Sequence, residues 1–291
     1  MSDDREVRRV AARVLDGLYR AVESLDFERL RRILRPDAFV FTPTADGVLT
    51  SADLVIADVQ HWLEAVAARG ATIRLRTESL LAGANASGLG LWVFDQVVAE
   101  AVQNGAIVCS VPIRLTALLA FDEDWRIAAA YWSVPFRAQK DQDAVKHLGE
   151  LEPGRSLDGG IGAGAVPLVD ALTRALAQPQ LLPDLYSTCD DHVTIGSVVE
   201  EVFVGSAGRA AWQEFVLHVT AFAPRGPMCA ALVAPDVGWL AANIDVGEPP
   251  TPYRFFYIWI HEETGWRIVL SHDAVSRNPL DADASVAGGL A

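Results

Sequence analysis

The stretch IRLTALLAFDEDWRI at residues 113–127 is matched later in the chain by YRFFYIWIHEETGWRI at residues 253–268. Each stretch begins as an apolar strand with an arginine, passes through an acidic turn and returns through Trp-Arg-Ile. Arg114 and Arg254 are 254 − 114 = 140 residues apart, and the tryptophans of the two stretches are 266 − 125 = 141 apart. Similarity at a constant spacing indicates a repeated structural unit, so the sequence predicts two copies of one domain.

The residues around each stretch predict the same order of elements in both copies: helix, helix, strand, helix and then an antiparallel meander. The first copy is predicted to have helices over 5–24, from 26 and over 51–63, and strands over 38–42, 72–81, 89–99, 107–120 and 125–134. The second copy is predicted to have helices over 166–177, 183–188 and 206–219, and strands over 192–196, 228–234, 237–245, 252–261 and 266–275. The fold class is therefore α+β.

Changes in composition divide the chain of 291 residues. We predict a first domain at 1–138, a glycine-rich linker at 139–164, a second domain at 165–277 and a disordered tail at 278–291. The net charge is −14. Residues 1–138 contribute 15 − 18 = −3 and the remainder contributes 9 − 20 = −11. Because nucleic acids and anionic membranes are bound by clustered cations, neither is an expected partner.

The cysteines and the N-terminus predict a cytoplasmic protein. The three cysteines, Cys109, Cys189 and Cys229, are widely spaced and form no CxxC motif. The first thirteen residues are a charged mixture without the apolar segment of a secretory signal. No run of residues approaches the roughly 18 apolar residues of a membrane helix.

The same order of elements resembles the nuclear-transport-factor-2-like superfamily, and within it the SnoaL-like domains. In the second copy the resemblance rests on Val193–Gly196, the acidic pair Glu200–Glu201 and the closing segment Gly265–Ile268. In the first copy it rests on Arg114–Thr116 and Trp125–Ile127. It covers roughly 5–136 and 165–277. The resemblance implies two cone-shaped domains, each a curved, mostly antiparallel sheet wrapped around helices, that pair as an intrachain pseudo-dimer.

Several functions are implied by this resemblance. Families with the shape include isomerases, dehydratases, epoxide hydrolases and polyketide cyclases, and also binding modules without activity. We therefore expect a protein that binds a small, largely apolar molecule in a cone-shaped pocket. One alternative is a cofactor-independent acid–base enzyme acting on a ring-containing metabolite, and another is a protein-interaction or structural module. Cofactors and metals are not expected, and association into homo-oligomers is a further expectation.

Many SnoaL-like domains have a histidine near the end of the last strand and a serine two residues later. The second copy has His272 with Ala274, and the first copy has Tyr131 with Ser133. The resemblance thus implies His272 as the catalytic candidate of the second copy, with Tyr131 as its counterpart. A core histidine without a catalytic role is the alternative.

Strict alternation along the last strand predicts which residues share a face. Counting places Trp266, Ile268, Leu270 and His272 on one face. Asp273 then lies on the opposite face, so His272 and Asp273 are not expected to act as a dyad.

Further candidates come from polar and aromatic residues on the predicted strands and helices. Asp95, after four apolar residues, is a candidate base or marks the end of its strand, and we favour the end of the strand. For Arg114 and Arg254, a salt bridge or a water-facing edge is favoured over a bound carboxylate. Trp62 and Trp212 are most simply core residues. The full set of pocket candidates is Phe41, Trp62, Trp92, Arg114, Trp132, His192, Trp212, Trp239, Arg254 and Trp259.

Overall fold

The computed structural model describes residues 4–42, 47–136, 157, 160–219, 221–248 and 250–275. Most of the predicted linker and all of the predicted tail lie outside these residues. The described chain forms two compact units. The N-terminal unit contains nearly all described residues up to Val134, and the C-terminal unit begins at Pro135.

The N-terminal unit has three helices and a six-stranded sheet. Its helices are α1 (Asp4–Glu23), α2 (Phe27–Ile33) and α3 (Ala52–Ala67). Its strands are β1 (Leu34–Phe41), β2 (Val48–Leu49), β3 (Thr72–Ala84), β4 (Gly90–Gln103), β5 (Ala106–Asp122) and β6 (Asp124–Ser133). The strand order is β2-β1-β6-β5-β4-β3, and only the β1–β6 pair is parallel.

Local chemistry fixes the ends of these elements. The Asp26 side chain caps α2 by accepting a hydrogen bond from the backbone N–H of Arg29 at 2.9 Å. Ser51 caps α3 in the same way. Asn104 and Gly105 join β4 to β5 with positive φ angles of 52° and 79°. A two-residue Asn-Gly loop suits this hairpin because both residues tolerate the left-handed region.

The C-terminal unit repeats this architecture. Its helices are α4 (Val166–Ala177), a 3-10 helix (Pro179–Leu185) and α5 (Ser206–His218). Its strands are β7 (Val193–Ile195), β8 (Val202–Val204), β9 (Phe222–Pro224), β10 (Cys229–Ala234), β11 (Val237–Val246), β12 (Thr251–Glu262) and β13 (Gly265–Val275). The order β8-β7-β13-β12-β11-β10 matches the N-terminal sheet strand for strand, and β9 adds to β11.

The pairing of strands shows which positions of the two units are equivalent. Arg114 lies between Gln96 and Ser133 in the N-terminal sheet. Arg254 lies between Asn243 and Ala274 in the C-terminal sheet. The duplicated α+β fold predicted from the sequence is therefore confirmed. The leading helix differs, since α4 has 12 residues and α1 has 20.

A β-bulge near the start of the last strand changes which face each residue occupies. In the C-terminal sheet Ile258 pairs with Leu270 but Trp259 pairs with Ile268, which leaves Val269 as the extra residue. One inserted residue inverts the alternation of side chains. Ile268 packs in the core below the helices, whereas Leu270 and His272 lie on the other face. The prediction that all three share one face was wrong.

Candidate functional site

Each sheet has an inner face, which packs on the helices, and an outer face on the opposite side. In the C-terminal unit, the inner face of β12 is formed by an alternating aromatic row that belongs to the core. These residues are Tyr253, Phe255, Tyr257 and Trp259. Ser271 pairs with Tyr257 and Asp273 pairs with Phe255. Directly paired residues point to the same side of a sheet, so Ser271 and Asp273 project into this aromatic core.

Helical residues complete the walls around this pair. The Tyr186 ring lies 5.8 Å from the Trp212 ring and 5.4 Å from the His192 ring, measured between centroids. The Trp212 ring is 6.3 Å from Phe255. Trp212 comes from α5, and Tyr186 follows the 3-10 helix and pairs with Ile268 of β13. The interior is therefore aromatic on the sheet side and on the helix side.

Several buried polar atoms of this interior have no hydrogen-bond partner among the described residues. They include Oδ1 of Asp273, Nδ1 of His192 and the indole nitrogen of Trp259. The Tyr186 hydroxyl lies within hydrogen-bonding reach of the Ser271 hydroxyl and the Trp212 indole. A buried polar atom without a partner costs about 1–3 kcal/mol. A cluster of buried polar groups in one core is unusual for packing alone. It is typical of a site that forms hydrogen bonds with a bound small molecule, called the guest below.

The electrostatics of this interior favour neutral groups. Burial raises the pKa of the Asp273 carboxyl well above its usual range, and the nearby Glu201 carboxylate adds to the effect. Burial and Asp273 likewise raise the pKa of Tyr186 and Tyr257. Burial thus favours the neutral, protonated form of Asp273, which can donate a hydrogen bond.

His192 is a neutral residue of the same unit. It is buried, and its Nε2 lies 3.0 Å from Oγ1 of Thr194. Burial lowers the pKa of His192 to about 4, helped by the positive charge of Arg209 and opposed by Asp191. It therefore stays uncharged at physiological pH, unlike an ordinary histidine near 6.5.

An open cleft of about 610 Å³ lies at the surface of the C-terminal unit. Its lining residues are Asp184, Tyr186, Thr188, Arg209, Glu262, Glu263, Thr264 and Arg267. Tyr186 is thus the residue that the cleft lining and the buried polar group around Asp273 share.

The N-terminal unit has its own buried acid. Asp95 is 0% exposed, and its Oδ2 accepts hydrogen bonds from the Tyr19 hydroxyl at 2.6 Å and from Oγ1 of Thr77 at 2.9 Å. Burial raises the pKa of Asp95 to about 6, although both hydrogen bonds lower it. The favoured prediction that Asp95 ends its strand was wrong, since β4 continues to Gln103.

The structure places the other sequence-predicted residues on both sides of the sheets. On the inner side, in or against the cores, are Trp62, Trp132, His192, Trp212 and Trp259. On the outer faces are Phe41, Trp92, Arg114, Tyr131, Trp239, Arg254 and His272. The outer positions correct the expectation that these seven side chains line a cone interior, because each pairs with residues outside the helix-facing core.

The two arginines and the two catalytic candidates on the outer faces differ from what the sequence predicted. Arg114 and Arg254 are each 1% exposed, so the water-facing alternative was wrong for both. Tyr131 and His272 occupy equivalent rungs, opposite Thr116 and Phe256 respectively. Their position on the outer face gives neither one access to Asp95 or Asp273.

Sequence reasoning missed Asp273, Ser271 and Tyr186 as site residues. Asp273 was set aside because strict alternation put it opposite the apolar residues of its strand. The aromatic row of β12 is the signal that could have found it. A row so rich in aromatic side chains indicates the core face, and pairing the next strand against it places Ser271 and Asp273 inside.

The described residues contain neither a metal-binding cluster nor a membrane-spanning helix. Within the described ranges no group of three or more His, Cys, Asp or Glu side chains is arranged to hold a metal ion. No helix in the described part of the chain combines the length and apolar character needed to span a membrane.

Together, the curved sheets and their helices define two nuclear-transport-factor-2-like domains. Residues 11–137 match the sequence family described as the SnoaL-like domain. The N-terminal unit is therefore a SnoaL-like domain, and the C-terminal unit repeats its topology. No curated protein matches the chain.

Solved structures similar to this chain each cover about half of it. A cystatin-like protein from Caulobacter vibrioides is 15% identical, with a TM-score of 0.39, over 48% of this chain and 97% of its own. A nuclear-transport-factor-2-like protein from Rhodospirillum rubrum is 20% identical, with a TM-score of 0.34, over 42% and 96%. ActVI-ORFA from Streptomyces coelicolor is 7% identical, with a TM-score of 0.39, over 45% and 96%.

Proposed function

We propose that the C-terminal unit binds a small, largely apolar molecule inside its core. The observation that carries this proposal is the cluster of buried polar groups around Asp273, with Oδ1 of Asp273 and Nδ1 of His192 left without a described partner, among aromatic side chains. Aromatic walls supply the apolar contact area, and the few convergent polar groups orient the guest. The Asp273 carboxyl, the Ser271 hydroxyl and the Trp212 indole would hydrogen-bond a polar group of the guest.

Binding of a neutral aromatic probe, 2-naphthol, tests this proposal by isothermal titration calorimetry. Asp273→Ala and Ser271→Ala each remove an inward hydrogen-bonding group, so each is expected to weaken binding by about tenfold. His272→Asn is the matched control, because His272 neighbours both residues along the strand but lies on the outer face. Equal affinity in all four proteins, or loss of binding only in His272→Asn, contradicts the proposal.

A second function, acid–base catalysis without a cofactor, is favoured by the raised pKa of Asp273. A neutral carboxyl can donate a hydrogen bond to a carbonyl oxygen, while Nδ1 of the neutral His192 would accept the proton lost from the adjacent carbon. The test is exchange of the α-hydrogens of 2-tetralone in deuterated buffer, followed by NMR. Asp273→Asn preserves shape but cannot transfer a proton, so it should bind the ketone without accelerating exchange. Equal exchange rates in both proteins rule out this role.

Association of the two copies within the chain, and of chains with one another, stays a prediction from the sequence. So does a cytoplasmic location. Small-angle scattering and sedimentation equilibrium measure the two kinds of association directly. Two well-separated lobes in solution would contradict the pairing of the copies.

A further inference from the structure

The cleft of the C-terminal unit carries charges that the buried site does not use. Two arginines line it, Arg209 from α5 and Arg267 from β13. Both are half-buried. Tyr186 lies at the same cleft and connects it to the polar group around Asp273.

Neither arginine is neutralised within the described part of the chain. No described carboxylate lies within salt-bridge distance of either guanidinium. Arg267 donates its hydrogen bonds to the backbone oxygens of Trp266 and Thr264. The charge of Arg209 reaches inward, since it helps to lower the pKa of the buried His192. A partly desolvated guanidinium without a counter-charge is costly and favours an anionic ligand.

The acidic residues of the cleft are occupied or solvated. Glu262 accepts a hydrogen bond from the hydroxyl of Ser187. Asp184 and Glu263 are exposed, and exposed carboxylates are well hydrated and interact weakly with nearby charges. The cleft lining thus combines two half-buried arginines with three carboxylates, of which Asp184 and Glu263 are exposed.

Resting on the function proposed above, we propose that the guest of the C-terminal unit is an aromatic or alicyclic carboxylate. Its ring system enters the aromatic interior, and its carboxylate binds to Arg209 and Arg267 at the cleft. Guanidinium groups match carboxylates geometrically because two parallel N–H donors meet two oxygens. The molecule is thus bound at both ends, by the arginines outside and by the buried hydrogen-bonding groups inside.

Three probes that share one ring system test this assignment: neutral 2-naphthol, anionic 2-naphthoate and cationic 2-naphthylmethylammonium. Calorimetry of the full chain should show 2-naphthoate binding at least about tenfold more tightly than 2-naphthol. Arg209→Met and Arg267→Met should each reduce that preference. Arg174→Met is the control, because Arg174 lies on α4 outside the cleft lining and donates to the backbone oxygen of Asp170.

Salt gives a second readout that needs no variant. Added KCl should weaken binding of 2-naphthoate while leaving 2-naphthol nearly unchanged. If 2-naphthol binds and 2-naphthoate binds no better, or if the ammonium probe binds most tightly, the carboxylate assignment is wrong while the proposed function stands. If none of the three probes binds, the proposed function fails and the assignment fails with it.

Discussion

Replacing Asp95 with asparagine is expected to change the stability of the N-terminal unit in a strongly pH-dependent way. In the folded protein burial raises the pKa of Asp95 from 3.8 to about 6. The unfolded chain leaves this side chain in water with its ordinary pKa. The native state therefore binds a proton more tightly than the unfolded state does, and the charged form penalises folding.

The size and sign of the effect follow from this difference. A change in pKa from 3.8 to about 6 corresponds to roughly 3 kcal/mol. Between about pH 4 and pH 6 the native state holds more protons, so stability falls as pH rises through this window and stays lower above it. The amide of the asparagine variant does not titrate. The free energy of unfolding of the Asp95→Asn variant should thus gain roughly 2.5 kcal/mol on the parent between pH 4 and pH 8, because part of the full difference already lies below pH 4.

The prediction concerns how the difference in free energy of unfolding between variant and parent changes with pH, rather than the absolute size of that difference. Both donors, Tyr19 and Thr77, bond to the same oxygen of Asp95, and an asparagine carbonyl can accept both. The amide nitrogen would replace the unpartnered Oδ1, at a cost that is the same at every pH. Urea unfolding followed by circular dichroism at pH 4, 5, 6, 7 and 8 measures the difference. A difference between variant and parent that stays constant across this range refutes the raised pKa.

Other predictions concern stability. Gly238→Ala should destabilise the C-terminal unit by about 1–3 kcal/mol in calorimetry, because the added Cβ would lie 2.7 Å from the backbone oxygen of Ala231; unchanged stability would show that β10 can move aside. Trp259→Ala should cost about 3–5 kcal/mol in urea unfolding, since this fully buried ring leaves a cavity, and a cost below about 1 kcal/mol would contradict its core position. Asp26→Ala should cost about 1 kcal/mol by loss of the α2 cap, and Asp26→Ser should restore most of it; equal stability of the two variants would refute the capping role.

The duplicated fold could be predicted from the sequence because it depends on patterns that repeat. Apolar residues recur at helical spacing in α1, and capping residues such as Asp26 precede helices in the usual way. The Trp-Arg-Ile segments mark the last strand of each meander. These signals are local, and local signals are enough to order helices and antiparallel strands.

The faces of the strands could not be predicted in the same way. Whether His272 or Asp273 points inward depends on Val269, which is bulged in the paired sheet. No residue of the strand identifies a bulge by its own type, since the insertion arises from the register of two paired strands. The charged Asp95 similarly favoured an early end of β4, although Val97 and Val98 continue the apolar pattern. Its continuation is set by pairing with β5.

Comparison of the two units shows that each holds a buried aspartate, but at a different position of the same fold. Leu115 and Phe255 occupy equivalent inner positions on the third strand of each meander. Asp95 is the β4 neighbour of Leu115, and the corresponding neighbour of Phe255 on β11 is Ala242. Asp273 is the β13 neighbour of Phe255, and the corresponding neighbour of Leu115 on β6 is Trp132. Each core thus holds a carboxyl group at the same level but on opposite neighbouring strands.

Because the two acids lie on different strands, they have different surroundings. Asp95 faces α1 and β3, where hydroxyl groups donate to it and limit the rise of its pKa to about 6, so it is mostly ionised at neutral pH. Asp273 has the like charge of Glu201 nearby, and its pKa lies well above the usual range. The two units thus share one fold but place their buried carboxyl groups in different electrostatic surroundings.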